Sequence, residues 1–252
     1  MPVKTQTLIF IVAVIIAWCV APPVGCIKSS IVAAAMSVPA NNPASAAPAN
    51  DSGWSYLALG DSYTIGESVD VSDRYPVQVV QLLRYSDHLT CKAPEIIATT
   101  GWTTSNLLDA IAVADPPHTY SIVSLLIGVN NQFQGGSQSG YRDQFTALLQ
   151  QSIALAGNRP SHVLVLSIPD YSVTPFAKGR NTAMIASQID SFNTINREVS
   201  LNYKVNYLDV TAESRKAASD PSLIADDGLH FSGKEYAIWA RLMEPVMKGV
   251  LQ

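Results

Sequence analysis

From residue 54 onward, the hydrophobic positions follow two alternating patterns. Short apolar runs, typical of buried strands, lie at 56–59, 95–98, 120–127, 162–168 and 205–208. Between them, apolar residues recur every three or four positions, which predicts helices at 75–83, 105–114, 141–156, 182–199 and 234–251. Strands that alternate with helices predict an α/β fold, a three-layer α/β/α sandwich around a central parallel sheet of about five strands.

The N-terminal part has a different pattern. The run from Leu8 to Val20 is unbroken and apolar, and Lys4 is the only charged residue before Lys28. This run is shorter than the roughly 20 residues of a membrane-spanning helix and fits the core of a signal peptide. We therefore predict a signal peptide or lipoprotein signal at 1–25, with an uncleaved anchor as the alternative. Residues 26–53, rich in Ala, Pro, Asn and Ser from 37 onward, predict a flexible tether, and 54–252 the folded domain.

The cleavage site is open between two possibilities. Val24-Gly25-Cys26 resembles the end of a bacterial lipobox, although Pro23 stands where leucine is usual. The small-residue stretches 33–35 and 45–47 suit ordinary signal peptidase instead. Either route predicts an exported bacterial protein, periplasmic, secreted or lipid-anchored at the envelope, that contacts a membrane only through its signal or lipid. Cys91 is then the one cysteine left for the folded domain, so no disulfide framework is expected.

Composition narrows the function classes. The 252 residues are 48% hydrophobic and carry a net charge of −4, which suits one globular domain without the basic face of a nucleic-acid binder. No cluster has the spacing of metal ligands, and no glycine-rich nucleotide loop is present. We expect neither a metal nor a cofactor.

The polar residues that could do chemistry follow the predicted strands. Ser62 comes after the first strand, Gly101 after the second and Asn130 after the third, whereas Asp227 and His230 follow the fifth. In parallel sheets, ligands bind beyond the carboxyl ends of the strands. We therefore expect these five residues to meet at one edge of the sheet.

These residue types suit nucleophilic catalysis. A serine hydroxyl attacks well only when a neighbouring base takes its proton, and a carboxylate usually orients that base. His230 is the natural base for Ser62, and Asp227, three residues before it, is the natural orienting group. The backbone N–H groups of Ser62 and Gly101 and the side-chain amide of Asn130 are candidates for the oxyanion hole. The remaining histidines are expected to be structural: His88, His118 and His162.

Several neighbouring residues are weaker candidates. Thr64 breaks the Gly-x-Ser-x-Gly pattern around the serine, which argues against an α/β-hydrolase fold. Asp61 is expected to brace the loop, since adjacent side chains leaving a strand point apart. Asp226 is expected to be solvated or structural, and Asp170, after the fourth strand, could touch substrate.

Four blocks in this order resemble a known family, the SGNH hydrolases of the GDSL type. The blocks are Gly-Asp-Ser-Tyr-Thr-Ile-Gly-Glu at 60–67, Gly101, Gly-Val-Asn-Asn at 128–131 and Asp-Gly-Leu-His at 227–230. Tyr63 replaces the usual leucine, and Asn131 the commoner aspartate. The resemblance covers 54–252 and is greatest to the bacterial lysophospholipase-like esterase branch. It implies a flavodoxin-like fold, a triad of Ser62, Asp227 and His230, and an oxyanion hole of Ser62, Gly101 and Asn130.

The sequence thus predicts a serine esterase that works through an acyl-serine intermediate. Its substrate could be a carbohydrate acetyl ester, a short acyl ester, a thioester or a lysophospholipid. The polar segment 131–140 is expected to border the pocket, which favours a polar or small acyl group. An O-acyltransferase on the same machinery and a non-catalytic surface-binding module are the alternatives.

Overall fold

The computed structural model describes residues 53–252. The predicted signal at 1–25 and nearly all of the predicted tether at 26–53 lie outside the described residues. The helices and strands below all belong to the predicted domain.

Five parallel strands form the central sheet, as the sequence predicts. They are β1 Tyr56–Gly60, β2 Glu95–Ala98, β3 Ile122–Leu126, β4 Val163–Leu166 and β5 Asn206–Leu208, in the order β2-β1-β3-β4-β5. The predicted third and fourth strands are longer than β3 and β4. The apolar run extends past the paired backbone there, because Ile127 and Ile168 are buried beyond the strand ends.

Eight helices of the described chain surround this sheet: α1 Ser62–Ile65, α2 Tyr75–Tyr85, α3 Thr104–Ala114, α4 Val129–Phe133, α5 Gln138–Leu155, α6 Thr182–Asn202, α7 Thr211–Ser214 and α8 Gly233–Leu251. The five long ones match the predicted helices to within a few residues at each end. Helices α2 and α8 pack on each other, while α3, α5 and α6 form a second packed set. The domain is therefore the expected α/β/α sandwich.

The strand order determines where a site can form. The chain passes from β1 outward to β2 and then returns to β3 on the other side of β1. Such a reversal opens a crevice beyond the carboxyl ends of the two central strands. Gly60, the last residue of β1, lies opposite Leu126, the last residue of β3. Helices α1 and α4 begin within three residues of these two positions.

An aromatic cluster supports this crevice from the side of α2 and α8. Trp239 of α8 is fully buried and packs against the rings of Tyr63, Tyr75, Phe231 and Tyr236 at centroid distances of 5.0–6.3 Å. Tyr63 directly follows Ser62, and Phe231 directly follows His230. The cluster therefore fixes the backbone beside both residues.

Candidate active site

A pocket of about 140 Å³ opens at the carboxyl ends of the central strands. Its walls are formed by Ser62, Tyr63, Thr100, Gly101, Val129, Asn130, Phe133, Tyr171, Phe176, Leu229 and His230. Four of the five residues that the sequence predicted for the site thus line one pocket. The fifth, Asp227, reaches the pocket through its bond to His230.

Ser62 is the first residue of α1 and follows β1 through a tight turn. A Cβ on Gly60 would lie 2.0 Å from Thr64 Oγ1 and 2.5 Å from the carbonyl oxygen of Leu126, so only glycine fits there. Asp61 caps α1, since its Oδ1 accepts the backbone N–H of Tyr63 at 3.1 Å. The turn leaves Ser62 at the pocket wall, with 5% of its surface exposed.

His230 and Asp227 form a close pair. Nδ1 of His230 lies 2.5 Å from Oδ2 of Asp227, while Oδ1 accepts the backbone N–H groups of Leu229 and His230, both at 2.9 Å. A proton on Nδ1 would be donated to this carboxylate and leave Nε2 free to accept. The Ser68 hydroxyl donates to the same Oδ2 at 2.8 Å. The carboxylate is therefore held by four donors.

These contacts decide the charge of Asp227. Partial burial alone would raise the pKa of its carboxyl group. The hydrogen bonds from the His230 ring, from the backbone of Leu229 and His230 and from Ser68 outweigh burial and hold the pKa well below its usual range. Asp227 thus stays ionised wherever the imidazole can act as a base.

Gly101 and Asn130 form the opposite wall of the pocket. Gly101 has a φ of +86°, a conformation that favours glycine, and no atom lies within 4 Å of the position that a Cβ would take. Asn130 Nδ2 donates to the Trp102 carbonyl at 2.9 Å, which ties α4 to the loop that carries Gly101. Asn131 bonds the backbone N–H and the hydroxyl of Thr104 at 3.0 and 2.7 Å. It therefore links α4 to the start of α3, outside the pocket.

The weaker candidates lie away from the pocket surface. Asp61 is fully buried and braces the turn, as expected. Asp170, for which the sequence left a substrate contact open, is buried and bonds Arg215 Nε at 2.8 Å and the N–H of Ser172 at 2.8 Å. Asp226 borders a different surface cleft, next to Ser222 and Ser232. His88, His118 and His162 do not line the pocket either.

Three aromatic residues line the pocket that the sequence analysis did not single out: Phe133, Tyr171 and Phe176. Phe133 is the one residue of the segment 131–140 in the pocket wall, whereas Gly136, Ser137 and Gly140 border a separate cleft. The part of this segment that faces the pocket is thus apolar, unlike the expected polar border. The spacing of Val129 and Phe133, one helical turn apart, was the available signal.

Arg180 lies over part of the aromatic wall that Phe133, Tyr171 and Phe176 form. Its guanidinium carbon lies 4.5 Å from the ring centroid of Phe176 and 5.4 Å from that of Phe133. Tyr171 donates its hydroxyl to Gln132 Oε1 at 3.1 Å. Burial raises the pKa of Tyr171, and both the Gln132 bond and the positive charge of Arg180 oppose that rise. Arg180 thus lies close enough to the pocket wall for its charge to lower the pKa of Tyr171.

The fold and the pocket that Ser62, Gly101, Asn130 and His230 line can now be compared with known proteins. The profile of the GDSL-like lipase/acylhydrolase family matches residues 58–238. The chain belongs to this family. A comparison with curated proteins finds no match.

Solved structures share the fold of this chain. TesA superposes with a TM-score of 0.60 at 17% identity, covering 78% of this chain and 99% of TesA. The lipase/acylhydrolase from Enterococcus faecalis gives 0.57 at 18%, covering 79% and 97%. Axe2, an acetylxylan esterase from Geobacillus stearothermophilus, gives 0.57 at 17%, covering 77% and 94%. Family and fold together identify an ester-hydrolysing enzyme of the SGNH type.

Two further observations concern the described part of this GDSL-type enzyme. Within residues 53–252, no group of three or more His, Cys, Asp or Glu side chains is arranged so that it could hold a metal ion. Over the same range, no helix combines the length and the apolar character needed to cross a membrane.

Proposed function

We propose that Ser62 is the nucleophile of a hydrolysis that passes through an acyl-serine intermediate. His230 Nε2 takes the proton of Ser62 Oγ as Oγ attacks the ester carbonyl carbon. His230 then gives that proton to the leaving alcohol, and the C–O bond of the ester breaks. A water molecule, deprotonated by His230, attacks the acyl-serine and releases the acid. The hydrogen-bonded His230–Asp227 pair at the pocket of Ser62 is the observation that carries this proposal.

Asp227 acts through His230 and not on the substrate. Its carboxylate keeps the proton on Nδ1, so that Nε2 faces the serine as an acceptor. The same negative charge stabilises the imidazolium that forms when the serine proton is transferred. The bonds from the backbone and from Ser68 keep the carboxylate ionised and fix its orientation.

The oxyanion is stabilised by donors on three segments. The N–H of Ser62 lies at the N-terminus of α1, and the N–H of Gly101 belongs to a second residue that lines the pocket. Asn130 uses one amide N–H on the Trp102 carbonyl and has the second for the oxyanion. Each such donor typically accelerates acyl transfer by a factor on the order of a hundred to a thousand.

The pocket favours a short acyl group. Tyr63, Val129, Phe133, Tyr171, Phe176 and Leu229 give it apolar walls. Its volume of about 140 Å³ is below the roughly 300–1,000 Å³ of pockets that enclose drug-sized ligands. We infer that it holds the acyl part of a short-chain ester, including acetyl esters of carbohydrates, in preference to the chain of a lysophospholipid.

A series of p-nitrophenyl esters from acetate to palmitate tests this function. We expect the specificity constant kcat/KM to be highest for chains of about two to six carbons, because longer chains exceed the pocket. Ser62→Ala should abolish turnover, whereas Ser86→Ala, which removes the hydroxyl of an exposed serine outside the pocket, should leave it unchanged. Activity that survives in Ser62→Ala would refute the acyl-serine mechanism, and a maximum at palmitate would refute the assigned substrate class.

The same assay separates hydrolysis from acyl transfer. With a sugar or glycerol present as acceptor, a hydrolase releases free acid, whereas an O-acyltransferase forms a new ester on the acceptor. We expect free acid as the main product. If the protein is folded but turns over no ester, with or without the acceptor, the result would support the binding-module alternative.

We also propose that the N-terminal segment exports the enzyme to the bacterial cell envelope. The apolar run from Leu8 to Val20 and its single preceding charge support export. Mass spectrometry of the mature N-terminus, with Cys26→Ser beside Cys19→Ser, distinguishes lipidation at Cys26 from cleavage at 33–35 or 45–47. Retention of the full N-terminus in the cytoplasm would contradict export.

A further inference from the structure

Arg180 is a cation at the pocket that the proposed mechanism does not use. Its guanidinium carbon lies over the rings of Phe176 and Phe133, two pocket residues that are themselves 37% and 47% exposed. Stacking uses the face of the guanidinium and leaves its five N–H donors around the edge. Arg180 does not itself line the pocket, but its side chain is exposed, so these donors are open to a group that extends from the pocket past the two rings.

The carboxylates that flank Arg180 in sequence are engaged elsewhere. Asp170 and Asp190 both bind Arg215, at 2.8 and 2.7 Å. Among residues 53–252, no carboxylate forms an ion pair with Arg180. Arg180 is thus positioned by aromatic rings and not by an anion of the domain.

The stretch of chain around Arg180 carries only positive charges. Between Asp170 and Asp190 the charged residues are Lys178 and Arg180 alone. The segment 128–141, which supplies Val129, Asn130 and Phe133 to the pocket, has no charged residue. The segment that carries Arg180 is thus locally cationic in a protein of net charge −4.

We propose that Arg180 is a specificity-determining residue that binds a carboxylate at the far end of the substrate's acyl group. The substrate class is then the half-ester of a short dicarboxylic acid: the ester carbonyl lies at Ser62, the methylene groups pack on Phe133 and Phe176, and the terminal carboxylate pairs with the guanidinium. Guanidinium and carboxylate form bidentate, charge-assisted hydrogen bonds. The inference rests on the proposed function, because it assumes that this pocket holds the acyl group.

The test compares two esters of equal chain length, mono-4-nitrophenyl adipate and 4-nitrophenyl hexanoate. We expect Arg180→Gln to lower the ratio of their kcat/KM values about fivefold to tenfold, a modest effect because the guanidinium is exposed. Lys178→Gln removes the same charge two residues away and should leave the ratio unchanged. Arg180→Lys should retain part of the preference, and high salt should reduce it in the wild type.

An anion on the alcohol side is distinguished by a second pair of substrates, 1-hexanoylglycerol 3-phosphate and 1-hexanoylglycerol. A ratio that falls in Arg180→Gln for this pair alone would overturn the assignment to the acyl group. Equal losses on the adipate and the hexanoate would show that Arg180 only supports the aromatic wall. If the ratio falls as much in Lys178→Gln, the preference comes from the positive charge of this segment in general and not from a specific contact with Arg180.

Binding measurements keep this inference separate from the catalytic mechanism. Calorimetry on Ser62→Ala records the affinity for both nitrophenyl esters without turnover, and Ser62→Ala/Arg180→Gln gives the comparison. If the wild-type enzyme hydrolyses neither ester, the proposed function fails, while tighter binding of the adipate that depends on Arg180 still supports the anion site. Equal affinity for both esters in Ser62→Ala would overturn it.

Discussion

At the scale of single residues, the His230–Asp227 pair makes the sharpest prediction. Asp227→Asn keeps the size of the side chain but replaces an acceptor with an amide that can donate to Nδ1. The imidazole proton would then move to Nε2, where it blocks transfer from Ser62. We expect kcat to fall by about a thousandfold to ten-thousandfold while the protein stays folded. The measurement is steady-state hydrolysis of a short p-nitrophenyl ester.

Asp226→Asn is the matched control for this prediction. Asp226 has the same charge one residue earlier, and it borders a cleft other than the pocket. We expect its activity to stay within about twofold of the wild type, because exposed charges away from a site have small effects. Equal losses in Asp226→Asn and Asp227→Asn would mean that net charge, and not the bond to His230, supports catalysis.

The residues of the site differ in how well the sequence predicted them. Ser62, Gly101 and Asn130 were predictable because each closely follows a strand, and parallel strands bring such positions to one edge, whereas His230 was predictable from its spacing to Asp227. Tyr171 and Phe176 were not predictable as pocket residues, since they lie in two three-residue 3-10 helices, Tyr171–Val173 and Pro175–Ala177, which are too short to show a periodic pattern. Where such a segment packs depends on tertiary contacts, here on the buried Asp170 and its bond to Arg215.

At the scale of elements, Asp170 holds the segment 171–177 in place as part of the pocket. Asp170 is 1% exposed and joins the start of this segment to Arg215. We expect Asp170→Asn to lower the free energy of unfolding by about 2 kcal/mol, because it weakens a charge-assisted bond that is buried on one side. KM for a short ester should rise more than kcat falls, since Tyr171 and Phe176 bind and do not react.

Asp190→Asn removes the other carboxylate that binds Arg215. Its side chain is 56% exposed, so its loss should cost less than about 1 kcal/mol and leave KM nearly unchanged. Urea unfolding and ester kinetics on both variants make the comparison. If KM rises equally in the two variants, Arg215 itself, and not the buried end of its network, positions the segment.

The short helices show why the sequence did not predict every helix of the domain. Helices α1, α4 and α7 have four or five residues, too few for a helical period to appear in the sequence. Helix α1 exists because Gly60 permits the turn and Asp61 caps it. The long helices and buried strands each contain several repeats of their pattern, which is why their positions were predicted to within a few residues.

At the scale of the whole molecule, the sheet topology makes the site and the core inseparable. The reversal of strand order beside β1 creates the crevice, and the turn after β1 places the Asp61 carboxyl inside the core below it. Of its two oxygens, Oδ2 has no hydrogen-bond partner within residues 53–252. Burial raises the pKa of Asp61 from 3.8 to about 7, against the hydrogen bonds that lower it. The turn that carries Ser62 thus lowers the stability of the fold by an amount that depends on pH.

The sign of that dependence follows from linkage. The folded state holds the Asp61 proton up to about pH 7, whereas the unfolded chain releases it near 3.8. The contribution of the protonated carboxyl is fully present below the unfolded pKa and is lost as the pH rises through the folded pKa. Since one pKa unit corresponds to about 1.4 kcal/mol, Asp61 should remove about 3 kcal/mol of stability between about pH 5 and about pH 8.

Asp61→Asn tests this prediction through urea unfolding at both pH values. The amide oxygen can still accept the N–H of Tyr63, but the side chain no longer titrates. We expect the loss of stability with rising pH to shrink in the variant without vanishing, because burial raises the pKa of Glu235 to about 7 as well. Asp70→Asn, at an exposed position, should keep the wild-type slope. An unchanged slope in Asp61→Asn would show that the buried carboxyl is already ionised at low pH in the folded protein.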